Sequence, residues 1–242
     1  MAQTIVITGA SRGIGRAIAL RLAQKDINIV INCIHHEELL LEVRDAVVER
    51  GACCLPFIGD ISDYSTAAAL FDAVHTQFGS VDILINNAGI SDIGLFQNLT
   101  RSGWDRIMNV NAGSVYNCCH FAIPDMIQAH RGRIINISSV WGIAGASCEA
   151  AYSASKGAVN TLTKALAREL APSGIQVNAI ACGTIDTEMN AFLSEEDRLA
   201  LEDEIPAGRF GTVQEAADMV YLLCQAPDYL TGQIITLDGG WT

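Results

Sequence analysis

The chain has 242 residues, half of them hydrophobic and 17% charged, which excludes a disordered or charge-dominated polymer. A net charge of −12 argues against nucleic acid or an anionic membrane as the main partner. No apolar run approaches the roughly 20 residues of a membrane span, and "MAQTIVITGA" lacks a basic region followed by an apolar one, so a cytoplasmic protein is expected.

In chain order, the apolar run "TIVIT" (4–8) leads through "TGASRGIG" (8–15) into the amphipathic "GRAIALRLAQK" (15–25), which reads as strand, glycine turn and helix. Further strands are expected at "INIVIN" (27–32), "CCLPFI" (53–58), "VDILIN" (81–86), "RIINIS" (133–138), "IQVNAIA" (175–181) and "GQIITLD" (232–238). Their β-branched, nearly continuous apolar character suits strands covered on both faces. Helical stretches such as "STAAALFDAVHTQFG" (65–79) and "ASKGAVNTLTKALARELA" (154–171) lie between them. The alternation predicts one α/β domain over 1–242, a doubly wound seven-stranded parallel sheet with helices on both faces. The acidic, helix-prone segment 183–211 follows a strand's carboxyl end, where ligands sit in open sheets, and is expected to form a substrate lid. Eight cysteines without C-x-x-C or Cys/His spacing predict free thiols and no metal site.

Three glycines in eight residues need a reason, because glycine costs conformational entropy and packs no side chain. A glycine-rich turn that opens a helix suits a pyrophosphate, bound by backbone N–H groups and the helix N-terminus. Gly9 would permit the tight turn, Gly13 the close approach and Gly15 the packing of helix on strand; a merely structural turn is the alternative. "INNAG" (85–89) closes the fourth strand in the same way, with Asn86, Asn87 and Gly89 able to hold the sheet or touch a ligand. Downstream, "INISSVWGIAGASCEAAYSASKG" (135–157) sets Ser139 at a strand's end, Tyr152 thirteen residues on and Lys156 four further. A helix beginning near Tyr152 would put Tyr152 and Lys156 on one face. A nearby ammonium stabilises phenolate; lowering the phenol by about three pKa units requires roughly 4 kcal/mol.

With these motifs in this order, the chain resembles the short-chain dehydrogenase/reductase family from residue 4 to the terminal "DGGWT". The resemblance implies a Rossmann-like fold and an oxidoreductase using NADP(H) or NAD(H). It assigns Ser139 to polarising a substrate carbonyl, Tyr152 to delivering the proton, and Lys156 to binding the nicotinamide ribose and, jointly with an oxidised nicotinamide, lowering the Tyr152 phenol. Asn111, in "WDRIMNVNAG", matches the family's asparagine that supports a proton-relay water. Each has a plainer alternative: a strand-end hydroxyl, a helix-start aromatic, a solvated charge and a kink in a long helix. Cofactor contacts are implied for Ser11, Arg12 and Ile14 among the loop glycines. They are implied also for Asp60 and Ile61 after the third strand, for Asn87, Ala88 and Gly89, and for Gly183, Ile185 and Thr187 after the sixth. Asp60 could equally cap the helix before "YSTAAAL". Cys182 stands where relatives usually carry proline, which predicts a less rigid entry to that last loop.

An acid at the end of the second strand would bind a ribose 2′-hydroxyl and reject a 2′-phosphate. Cys33 occupies that place, and Arg12, with His35 or His36, could pair with the phosphate; NADPH is expected, while Glu37 and Glu38 keep NADH open.

Overall similarity is greatest to the bacterial 3-oxoacyl-acyl-carrier-protein reductase branch, through "IPAGRFG" and "TGQIITLDGGWT", which implies a ketone substrate and a link to fatty acid synthesis. The arginine that often grips the acidic carrier is Ser173 here, with Arg131 and Arg133 near another edge. A narrower resemblance, in "SSVWGIAGASCEAAYSASK", is to the reductase of the 5-aminopentanone group on elongation factor P. There Glu149 would suit a cationic amine and Trp141 would wall the pocket; an exposed loop glutamate and a tryptophan under the lid are the plain alternatives. A non-catalytic dinucleotide sensor is a third reading, opposed by the presence of both Tyr152 and Lys156. Family members usually form homotetramers, and the broadly apolar segments 115–127 and 158–167 suit such contacts or packing on the sheet.

Overall fold

The computed structural model describes residues 2–191 and 193–242. Seven strands form one parallel sheet: β1 (Gln3–Ile7), β2 (Ile27–Cys33), β3 (Cys53–Ile58), β4 (Ile83–Asn86), β5 (Gly132–Ser139), β6 (Ile175–Cys182) and β7 (Ile234–Leu237). They lie in the order β3-β2-β1-β4-β5-β6-β7. The chain therefore reverses direction across the sheet between β1 and β4, and the crevice beyond those strand ends is where doubly wound folds bind ligands.

Successive strand residues point to opposite faces, so each strand feeds two cores. Ile5, Ile7, Ile29 and Ile31 pack on one face with α1 (Gly13–Leu22), α2 (Glu37–Glu49) and α9 (Val213–Cys224). Val6, Val30, Leu84, Ile134 and Val177 pack on the other with α3 (Tyr64–Phe78), α5 (Ser114–Ala129) and α7 (Ala150–Leu170). The remaining helices are α4 (Arg101–Met108), α6 (Trp141–Ala144) and α8 (Glu195–Glu204). The expected strands are present, with ends shifted by one or two residues. The helix expected over 15–25 stops at Leu22, because Ala23 turns extended and Asp26 takes a left-handed φ of 65° to deliver the chain into β2.

Local chemistry fixes the element ends. Asp63, not Asp60, caps α3: its carboxylate accepts from the Thr66 N–H at 2.8 Å. Asp60 instead accepts from the Ser62 N–H and hydroxyl at 2.9 and 2.7 Å. The Thr212/Glu215 capping box starts α9, and the Arg209 guanidinium beside Glu215 holds that carboxyl down at about 2. Between α4 and α5 the helix widens into a π turn over Asn109–Gly113, which contains Asn111.

Residues 183–211 leave the carboxyl end of β6 and return to α9. Their two feet are joined by a bridge between Ile185 and Gly211, with Asp186 N–H donating to the Gly211 carbonyl at 2.8 Å. The excursion carries the exposed acidic α8 and is braced by Arg198, which pairs with Asp186 and Glu202 and lies 4.5 Å over the Phe210 ring. None of the described helices is long and apolar enough to cross a membrane, and the eight cysteines are free thiols.

Candidate active site

The site is built at the carboxyl ends of β1, β4, β5 and β6. Gly9 (φ +64°) turns the chain out of β1 against the backbone of Ala88, where an added Cβ would lie 2.9 Å from the Ala88 Cα. Gly15 packs so closely under the loop that a Cβ would stand 2.3 Å from the Gly9 carbonyl oxygen. Gly13 (φ +55°) looks into open space bounded only by Thr187, 3.6 Å away. Asn87 secures the loop from the neighbouring strand: its Nδ2 donates to the Thr8 and Gly9 carbonyls at 2.9 Å each, and its N–H donates to the Thr8 hydroxyl. Asn87 is thus bonded to the loop by its side chain. Asn86 pairs into the sheet through Asn136, which continues to Thr163 on α7.

The N-terminus of α1 has neither a side-chain cap nor an acidic residue in its first turn. Its unpaired N–H groups and positive dipole end therefore face the crevice beside Gly13. A phosphate fits there on the geometry of the chain itself.

Ser139 ends β5, paired in register with Cys182, and its hydroxyl accepts from the Trp141 N–H at 3.1 Å. The Ser139 hydroxyl also acts on the Tyr152 phenol, lowering its pKa against the effect of burial. The helix carrying Tyr152 starts two residues before it, at Ala150, so Tyr152 and Lys156 share one face as the spacing requires. Lys156 is not a solvated charge. It is 5% exposed, its Nζ donates to the Ile137 carbonyl at 2.8 Å and stands 5.7 Å from the Tyr152 ring centre, and burial pulls its ammonium down to about 8.

Within the chain itself, desolvation pushes the Tyr152 phenol above its ordinary value, and the Ser139 hydroxyl offsets only part of that.

Asn111 lies at the π turn, where its side chain clamps the chain after β4: Oδ1 accepts from the Ile90 N–H, and Nδ2 donates to the Ile90 carbonyl and the Ser155 hydroxyl, each within 2.9 Å. Gly89 fits between Asn111 and Lys156, a Cβ there lying 3.4 Å from both Oδ1 and Nζ. Ser139, Tyr152, Lys156 and Asn111 thus converge around the end of "NNAG".

The remaining sites fall around this centre. Cys33 is buried at the end of β2, and burial raises its thiol, with Ser11 and the His36 backbone acting to lower it. Ile61 is buried, and its carbonyl accepts from Asn117. Ile14 packs partly covered against the α1 core. Cys182 extends β6 and pairs with both neighbouring strands, so the loop at Gly183 starts from a strand end held on both sides. Ile185 is buried, and Arg12 pairs with Glu188.

Glu149 is neither loop-borne nor bare: half-buried at the N-terminus of α7, it accepts from the Ser91 hydroxyl. Trp141 meets Trp241 edge-on, ring centres 4.8 Å apart. Ser91, Trp241 and Asp238 were missed by sequence reasoning; Asp238 backs Gly183 and accepts from Gly240 and Thr242, folding the C-terminus onto the site. For Asp238 and Trp241 the only signal was the terminal "DGGWT" itself, and Ser91 had none. Arg131 and Arg133, in contrast, sit at the amino end of β5, paired with Asp82 and Asp228, on the side of the sheet away from Tyr152.

A doubly wound parallel sheet with a glycine loop at the first strand end and a Ser, Tyr and Lys cluster at the fifth defines a dinucleotide-dependent oxidoreductase. The short chain dehydrogenase family model matches residues 3–198, and the chain belongs to that family. It is 39% identical over 241 residues to the 3-oxoacyl-acyl-carrier-protein reductase FabG of Staphylococcus aureus (strain Mu50), covering 99% of this chain and 98% of that protein. It is 37% identical over 239 residues to the FabG of Thermotoga maritima, covering 98% and 97%. Among solved structures it is similar to YwfH, an NADPH dependent reductase involved in bacilysin biosynthesis (TM-score 0.93, 28% identity, 100% of this chain and 99% of that one).

Proposed function

We propose that the protein is an NADPH-dependent reductase of a ketone to a secondary alcohol, resembling the 3-oxoacyl-acyl-carrier-protein reductases. The observation that carries this reading is the meeting of Ser139 at the end of β5 with Tyr152 and the buried Lys156 on α7, the Lys156 Nζ standing 5.7 Å from the Tyr152 ring centre. The bound dinucleotide supplies the hydride. Ser139 and Tyr152 donate to the carbonyl oxygen and hold it as negative charge builds there. Tyr152 then gives its proton to the developing alkoxide. A phenol pushed up by burial stays protonated at neutral pH, which suits the acid role in reduction. Lys156 anchors the ribose, Asn111 fixes the segment after β4, and Asn87 holds the glycine loop. Ser11, Arg12, Gly13 and Ile14 would face the phosphates; Cys33, Asp60 and Ile61 the adenosine; Ala88 and Gly89 the adjoining ribose; and Gly183, Ile185 and Thr187 the nicotinamide.

A second reading rests on Glu149, whose carboxylate lies with Ser91 near the first turn of α7. Together with the acidic α8 it favours a cationic substrate, such as the 5-aminopentanone group on elongation factor P, over an acidic carrier. The positions of Arg131 and Arg133 agree, since both are neutralised at the far end of the sheet. In either case segment 183–211 acts as the lid, and the protein works in the cytoplasm as a homotetramer.

The test is NADPH consumption with an acetoacetyl carrier thioester and with 5-aminopentanone-modified elongation factor P, each repeated with Tyr152→Phe. Turnover of either substrate should fall by two or more orders of magnitude in the variant, with dinucleotide binding retained. Preference for the thioester supports the first reading, preference for the modified factor the second. Undiminished turnover in Tyr152→Phe refutes the assigned chemistry, and no turnover of any ketone would leave a dinucleotide sensor.

A further inference from the structure

Arg12 is the cation of the glycine loop, yet in this structure its guanidinium is engaged by Glu188, a residue 176 positions away at the start of the 183–211 excursion. The engagement is specific to that point of the excursion. Arg198 already takes Asp186 and Glu202, Asn190 Nδ2 donates to the Ile185 carbonyl at 2.8 Å, and the Ile185–Gly211 bridge closes the two feet. Glu188 is therefore presented to the glycine loop by a braced segment, one residue after Thr187 packs over Gly13.

We infer that Glu188 is a specificity-setting residue: its carboxylate competes with the nucleotide's 2′-phosphate for Arg12 and so limits the preference for NADPH over NADH. The inference rests on the NADPH reading above. Chemistry decides the order of the competition. A phosphate presents more charge and three acceptor oxygens, and guanidinium binds it bidentately, so phosphate displaces the carboxylate. A ligand with a free 2′-hydroxyl has no such group and leaves the Arg12–Glu188 pair intact. Both partners of the pair are substantially solvent-exposed, 49% for Arg12 and 64% for Glu188. The competition is therefore modest and salt-sensitive.

The experiment is calorimetric titration of the whole protein with 2′-phospho-ADP-ribose and with ADP-ribose, which bind without turnover, for wild type, Glu188→Gln, Arg12→Gln and the double variant. Glu188→Gln should tighten the 2′-phosphorylated ligand by about two- to fivefold and leave ADP-ribose within twofold. The gain should vanish on the Arg12→Gln background and shrink at 0.5 M salt. If Glu188→Gln weakens both ligands, or changes neither, the inference is overturned while the cofactor assignment stands. If wild type does not prefer the 2′-phosphorylated ligand at all, the NADPH reading fails first, and the inference with it.

Discussion

The residue that most constrains the chemistry is Lys156, because a buried ammonium is costly wherever it sits. With its folded-state pKa near 8 against an ordinary 10.5, the unfolded chain binds more protons than the folded one between those values. Stability from this group therefore rises with pH across that window, the opposite of a stabilising ion pair. Buried thiols act with the other sign above about pH 9, since burial raises Cys182 and Cys224 to about 12. Comparison of wild type with Lys156→Met isolates the lysine. Urea unfolding of the two, without dinucleotide, should show wild type gaining about 2 kcal/mol relative to the variant between pH 7.5 and 9.5. A flat or inverted difference would mean that Lys156 is not held against its charge. At this scale the placement was legible, since a strand end, a thirteen-residue gap and an i, i+4 pair set Ser139 at the end of β5 and Tyr152 and Lys156 on one face of α7. The raised phenol was not, because spacing reports who is near whom and not how much water is removed. Glu188 and Trp241 were illegible for another reason: their partners Arg12 and Trp141 are brought to them only by the closed sheet.

Among elements, the strands were the easiest to read, because strands buried on both faces leave almost unbroken apolar runs. The π turn at Asn109–Gly113 leaves no comparable mark, since a shift of hydrogen-bond partners needs no change of composition. Helix starts were readable to within a few residues and no better; Asp60 and Asp63 offer the same side chain, and only the turn made by Ser62 decides which caps α3. The cap at the other side of the molecule gives a direct test. Thr212 accepts from the Glu215 N–H at 3.1 Å and Glu215 answers by accepting from the Thr212 N–H at 2.8 Å. Thr212→Ala should cost about 1 kcal/mol and lower Tm by about 2–4 °C, read by differential scanning calorimetry. A change below half a degree would show that α9 is held by its packing on α1 alone.

For the whole molecule, the outer face of α5 is the surface to explain. Tyr116 is 54% exposed and lies beside His120, which meets Phe121 edge-on and Tyr64 at a tilt. Ile127 is exposed further along the same helix. Apolar and aromatic groups gathered on one side of a chain this acidic fit an interface between copies better than a face left to water. Light scattering coupled to chromatography should give four times the chain mass, and Tyr116→Glu should reduce it. A monomer at micromolar concentration would refute the assembly.

The bridge that ties Ile185 to Gly211 has a consequence for how this scaffold can change. Because the two feet of the excursion meet, the stretch between them begins and ends at nearly one point in space. Closing a longer or shorter circuit costs little, since loop entropy grows only with the logarithm of length. The circuit can therefore change in length without moving β6 or α9, so long as Ile205 and Ala207 keep their contacts with Gly239.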